Sequence, residues 1–78
     1  MDNYLKHLLH KLPATKEFSR NEFCSQIRIG LQKENDDVKN LDNLGEVYKA
    51  SGEIVDYLKK THKIDVEYMI NEIVITYQ

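Results

Sequence analysis

Apolar positions along this chain fall into four stretches, each of which can be read at the helical period. Leu5, Leu8, Leu9 and Leu12 recur at i, i+3, i+4 and i+7, the spacing that lines one face of a helix. Asp2 or Asn3 can accept hydrogen bonds from the free N–H groups at its start. Pro13 ends it, because the residue before a proline avoids helical backbone. The spacing predicts a first helix over residues 3–12.

In the second stretch, Ser19 and Glu22 have the spacing of a capping box, and Phe18 and Phe23 that of a hydrophobic staple. Phe23, Cys24, Ile27, Gly30 and Leu31 then share a face, which predicts a helix over residues 20–33 that ends near Glu34. Asn35-Asp36-Asp37 follows as a turn. Ile29 falls off that face, among Glu22, Ser25 and Lys33.

The third stretch runs from about Asp42 to His62, with Leu41, Leu44, Val47, Tyr48, Ser51, Val55 and Leu58 in one stripe. Gly45 and Gly52 lie inside it, each costing about 1 kcal/mol relative to Ala. The two glycines, seven apart on one side, would let another backbone approach; the reading is one helix with a weak point at Gly52, the alternative being two helices broken there.

The fourth, residues 64–77, fits two periods. As a helix it gathers Val66, Met69, Ile70, Ile73, Val74 and Tyr77, with Asp65 as its cap. As a hairpin, Ile64, Val66, Tyr68 and Ile70 alternate, Asn71-Glu72 turns, and Ile73, Ile75 and Tyr77 alternate again. β-Branched residues favour the hairpin, whereas the absence of a turn glycine disfavours it. The helical match is the fuller one. The expected fold is therefore all-α, a compact domain of three to four helices over residues 1–78. The alternative is α+β, with a C-terminal β-hairpin after three helices.

Composition narrows the function classes. Seventy-eight residues make one domain, and 41% apolar with 31% charged residues is ordinary for a globular chain. No stretch is apolar over the ~20 residues of a membrane span, and residues 1–12 lack the apolar centre of a secretion signal. A single cysteine, Cys24, allows no internal disulfide, which fits a reducing cytoplasm. The abundance of Lys, Asn, Ile and Tyr, with two Ala and no Trp, is the bias of an A/T-rich coding sequence.

A net charge of −2 removes the general electrostatic case for nucleic acid. Residues 1–33 carry six basic and three acidic groups, and residues 34–78 carry five and ten. A helix-turn-helix or winged-helix DNA-binding regulator is the alternative function. In it, the recognition helix would be residues 20–33, presenting Arg20, Arg28 and Lys33 with Asn21, Gln26 and Gln32 to base edges, or residues 43–61. The acidic groups Glu46, Glu53 and Asp56 on the third helix oppose that reading.

Candidate chemistry is thin. His7 and His10 are three apart on the outer face of the first helix, but Cys24 and His62 add no ligand spacing. Cys24 belongs to the core stripe of the second helix, and His62 suits the dipole at the end of the third. Three scattered glycines make no phosphate loop. No catalytic, cofactor-binding or metal site is expected, and the chain is not expected to be an enzyme.

What remains is an excess of apolar surface. Ile29, Tyr57, Tyr68 and Ile75 lie off the main helical stripes and form the expected partner interface. The acidic stretch from Glu34 to Asp56 would add polar contacts. The resulting expectation is a small cytoplasmic protein-interaction module, an adaptor, inhibitor or regulator. It would bind a protein partner, itself as a homo-oligomer, or both.

Overall fold

A computed structural model describes residues 2–31 and 44–78. The elements run α1 (Asn3–Lys11), β1 (Lys16–Arg20), β2 (Ser25–Gly30), α2 (Leu44–Leu58), β3 (Ile64–Tyr68) and β4 (Glu72–Tyr77). The four strands form one antiparallel sheet in the order β1-β2-β4-β3. The fold is α+β, so the expected all-α bundle is wrong. The alternative with a C-terminal hairpin fits, although the second stretch is a hairpin as well.

The helices follow their periodicity. Asp2 caps α1, its Oδ1 accepting from the Leu5 N–H at 2.8 Å, and the helix ends one residue before Leu12 with Pro13 beyond. Leu5, Leu8 and Leu12 are buried. α2 runs unbroken through Gly52 and buries Val47, Ser51, Ile54 and Leu58. A Cβ at Gly45 or Gly52 would meet nothing within 4 Å, so among the described residues no second backbone packs against either glycine. The start expected near Asp42 and the Asn35-Asp36-Asp37 turn lie outside the described residues.

The second stretch is a hairpin for a local reason and a long-range one. Asn21 Oδ1 accepts from the N–H groups of Phe23 and Cys24 at 2.7 and 2.9 Å, and the Asn21 N–H donates to the Cys24 carbonyl at 2.9 Å. That Asx turn replaces the expected Ser19–Glu22 capping box. Over the longer range, Ile27 and Ile29 are two apart, a spacing that a strand places on one face and a helix splits. They pair directly with Ile75 and Ile73 of β4.

The fourth stretch is the β3–β4 hairpin, closed by the Met69 N–H donating to the Glu72 carbonyl at 2.9 Å. Its two central residues are therefore Ile70-Asn71, one position earlier than the Asn71-Glu72 turn read from the alternation.

One sheet face carries Ile27, Ile29, Ile73, Ile75 and Tyr77, which join the leucines of α1 and the buried side chains of α2 in a single apolar cluster. The other face is polar. Its rows across the sheet read Glu17–Arg28–Val74–Glu67 and Ser19–Gln26–Thr76–Asp65. Val74 is nonetheless buried, flanked in register by Arg28 and Glu67.

Two substitutions report on this core by urea denaturation. Ile29→Ala is expected to lower stability by about 2–5 kcal/mol, as truncation of a packed core side chain does. Ser51→Ala is expected to raise it by about 1 kcal/mol, because the buried Ser51 hydroxyl has no hydrogen-bond partner among the described residues.

Candidate functional site

The four residues expected at the interface divide sharply. Ile29 and Ile75 are wholly buried, opposite Ile73 and Ile27. They cannot meet a partner, and their apparent exposure came from applying the helical period to strands. Tyr57 is half-buried on α2. Its hydroxyl donates to Asp2 Oδ2 at 2.9 Å, and its ring lies 4.8 Å from that of Tyr4, so it ties α2 to the capped end of α1. Tyr68, at the end of β3, is 62% exposed.

Tyr68 does not stand alone. Met69 is 39% exposed and Ile70 fully so, making three consecutive apolar residues at the β3–β4 tip. The helical reading hid Met69 and Ile70 inside a core stripe. The available signal was the Ile64–Val66–Tyr68 alternation, which carries the chain into a turn at Ile70. Asn71, the next residue, accepts through its carbonyl from the Leu31 N–H at 2.9 Å, which moors the tip to the end of β2.

At the opposite end of the sheet, Phe23 in the β1–β2 turn is 77% exposed, and Phe18 on the outer strand β1 is 43% exposed. Both were expected to form a hydrophobic staple, Phe18 ahead of the helix cap and Phe23 within the helix. Cys24, expected in a helical core stripe, sits half-buried in the same turn.

The remaining candidates stay apart. His7 and His10 are exposed on α1. His62 lies beyond α2, where its backbone N–H donates to the Leu58 carbonyl at 2.9 Å and its ring meets Tyr77 edge-on at 5.2 Å. Among the described residues, no three His, Cys, Asp or Glu side chains gather closely enough to hold a metal ion. No helix among them is long and apolar enough to cross a membrane. A small cavity of about 60 Å³ lies between the Pro13–Thr15 segment, Gly30, Leu31 and the start of α2.

Of the two recognition helices that the DNA-binding reading allows, the first is replaced over residues 20–30 by a strand end, a turn and a strand, and the second, α2, exposes Glu46, Glu53 and Asp56. Arg28 is engaged on the polar face, where its Nε and Nη2 donate to the two Glu72 carboxylate oxygens at 3.1 and 2.8 Å. That face sets one arginine among the carboxylates of Glu17, Asp65, Glu67 and Glu72.

Comparison with protein-family models and with curated protein sequences finds no match to this chain.

Two carboxylates titrate low. The Leu5 N–H, and then the Tyr57 hydroxyl, hold Asp2 below its ordinary value. The Arg28 hydrogen bonds do the same for Glu72. A carboxylate depressed in the folded state contributes stability above its unfolded pKa and loses it as pH falls through the folded value. Asp2→Asn combined with Glu72→Gln is therefore expected to flatten the acid limb of the thermal midpoint against pH. The variant should lie below the parent near neutral pH and converge with it as pH falls through the folded values. Parallel acid limbs for variant and parent would refute the assignment.

Proposed function

We propose that this chain is a small cytoplasmic protein-interaction module, without catalytic activity of its own, that docks on a protein partner or on a second copy of itself. The observation that supports this reading is the run Tyr68-Met69-Ile70 at the β3–β4 tip. The fold buries its other isoleucines or packs them against the core, yet holds Ile70 entirely in water. Isolated exposed apolar residues are ordinary on protein surfaces, but contiguous ones at a projecting turn favour contact with another surface. The two-residue tip is braced by the Leu31–Asn71 bond, so little conformational freedom is lost on docking.

The acidic contribution expected from Glu34 to Asp56 is carried in the described part by Glu46, Glu53 and Asp56, all exposed on α2. They suit a basic rim on the partner and oppose phosphate. A single cysteine is in keeping with a reducing compartment.

Tyr68→Lys combined with Ile70→Asp tests the reading. The parent is expected to show a mass that rises with concentration in sedimentation, or to retain a specific protein in affinity capture from its source cell. The double variant should lose whichever behaviour the parent shows. A parent that stays monomeric at millimolar concentration and captures nothing would overturn the proposal. So would tight, steeply salt-dependent binding to random duplex DNA, which would restore the regulator reading.

A further inference from the structure

The sheet has two outer strands, and β1 is the barer of them: all five of its residues, Lys16 to Arg20, are exposed. Its hydrogen-bond parity is set at both ends. The Gly30 N–H donates to the Thr15 carbonyl at 2.9 Å, and the Asn21 N–H donates to the Cys24 carbonyl at the same distance. In an antiparallel pair, the residues that bond inward alternate with those that bond outward. Thr15, Glu17, Ser19 and Asn21 therefore turn their backbone groups toward β2. Lys16, Phe18 and Arg20 turn theirs away from the sheet.

The side chains of the same three residues share one face. Phe18 stands opposite Ile27, with Lys16 opposite Ile29 and Arg20 opposite Ser25, so all three lie on the helix-covered side. The helices stop short of them. Neither cation has a carboxylate partner among the described residues, and Lys16 Nζ donates only to the neutral Leu12 and Ala14 carbonyls, at 3.0 and 3.2 Å. Beside Phe18 and Arg20, a cleft of about 240 Å³ reaches in to Leu5 and Tyr77.

The geometry points to β1 as a site of strand addition for an extended acidic peptide. Such a peptide would set an apolar side chain opposite Phe18 and a carboxylate opposite each of Lys16 and Arg20. Its backbone would complete the outward row of N–H and C=O groups, the recognition mode in which main-chain bonds supply affinity and alternate side chains supply choice. A second copy of the same strand is a poor occupant. Pairing Phe18 with its symmetry mate sets Lys16 against Arg20 twice, the kind of edge charge that guards against self-pairing. A nucleic-acid strand could meet the cations and the ring, but it has no peptide groups to match the open backbone row. This surface is on the opposite outer strand from the β3–β4 tip and does not depend on it.

The test uses the full chain and two capped heptapeptides, Thr-Glu-Thr-Ile-Thr-Glu-Thr and its counterpart with Lys in place of Glu, followed by amide NMR. The glutamate peptide is expected to give saturable shifts at millimolar concentration and to protect the Phe18 and Arg20 amides from exchange. The Glu17 and Ser19 amides, already bonded to β2, should show little added protection. Lys16→Glu with Arg20→Glu should weaken the glutamate peptide at least about tenfold and confer binding of the lysine peptide. The spectrum reports whether that variant is folded; Arg20→Gln alone, expected to weaken the glutamate peptide severalfold, serves if it is not. The Tyr68→Lys, Ile70→Asp variant should bind the glutamate peptide as the parent does. Absence of saturable shifts, equal binding of both peptides by the parent, or stronger perturbation of the same amides by a single-stranded oligonucleotide would each overturn the proposal.

Discussion

Everything in this molecule rests on the pairing of β2 with β4. Those two central strands bring Ile27 and Ile29 against Ile75 and Ile73, four branched side chains that are almost wholly withdrawn from water. Full burial of side chains of this size is worth about 1.5–3 kcal/mol each, the main favourable return available to a chain this short. A slip of one residue in that register would turn all the isoleucines of one strand toward the polar face. The alternation along β2, with Arg28 between two buried isoleucines, makes the slip costly. The helices then have a single apolar surface to cover, and α1 and α2 lie side by side on it.

How much of this could be read beforehand depended on where the decisive contact lay. The leucines of α1 and the stripe of α2 state their period locally, and their ends were legible within a few residues where they are described. The Ser19–Glu22 pair also has a local meaning, but Asn21 offers the backbone a competing one and prevails. Ile29 and Ile75 were the warning. Each stood on the wrong side of an otherwise satisfactory helical face, and each did so because the true spacing of Ile27 from Ile29, and of Ile73 from Ile75, is two. Residues that look surplus at one period are evidence for the other. The deciding pairing joins residues nearly fifty positions apart, beyond the reach of any short window. The same error shaped the expected interface: it took two core isoleucines for surface and placed the exposed Met69 and Ile70 in a core stripe.

Polar interactions refine the arrangement without creating it. Asp2 serves two elements at once, capping the start of α1 with one carboxylate oxygen and receiving the Tyr57 hydroxyl of α2 with the other. Arg28 and Glu72 cross the central seam on the opposite face, in the open, where charges contribute modestly and salt weakens them. The buried Ser51 hydroxyl is the exception, a polar group inside the apolar cluster with no gain visible among the described residues.

The two hairpins mirror each other in plan. Each joins strands through a four-residue turn closed by one N–H to carbonyl bond, and each sends its second strand to the middle of the sheet. Because Ser25 faces Tyr77 and Gly30 faces Glu72, the turns lie at opposite poles. Phe23 marks one pole and Ile70 the other, both standing clear of the body. A particle built this way is two-ended: whatever grips one pole leaves the other presented.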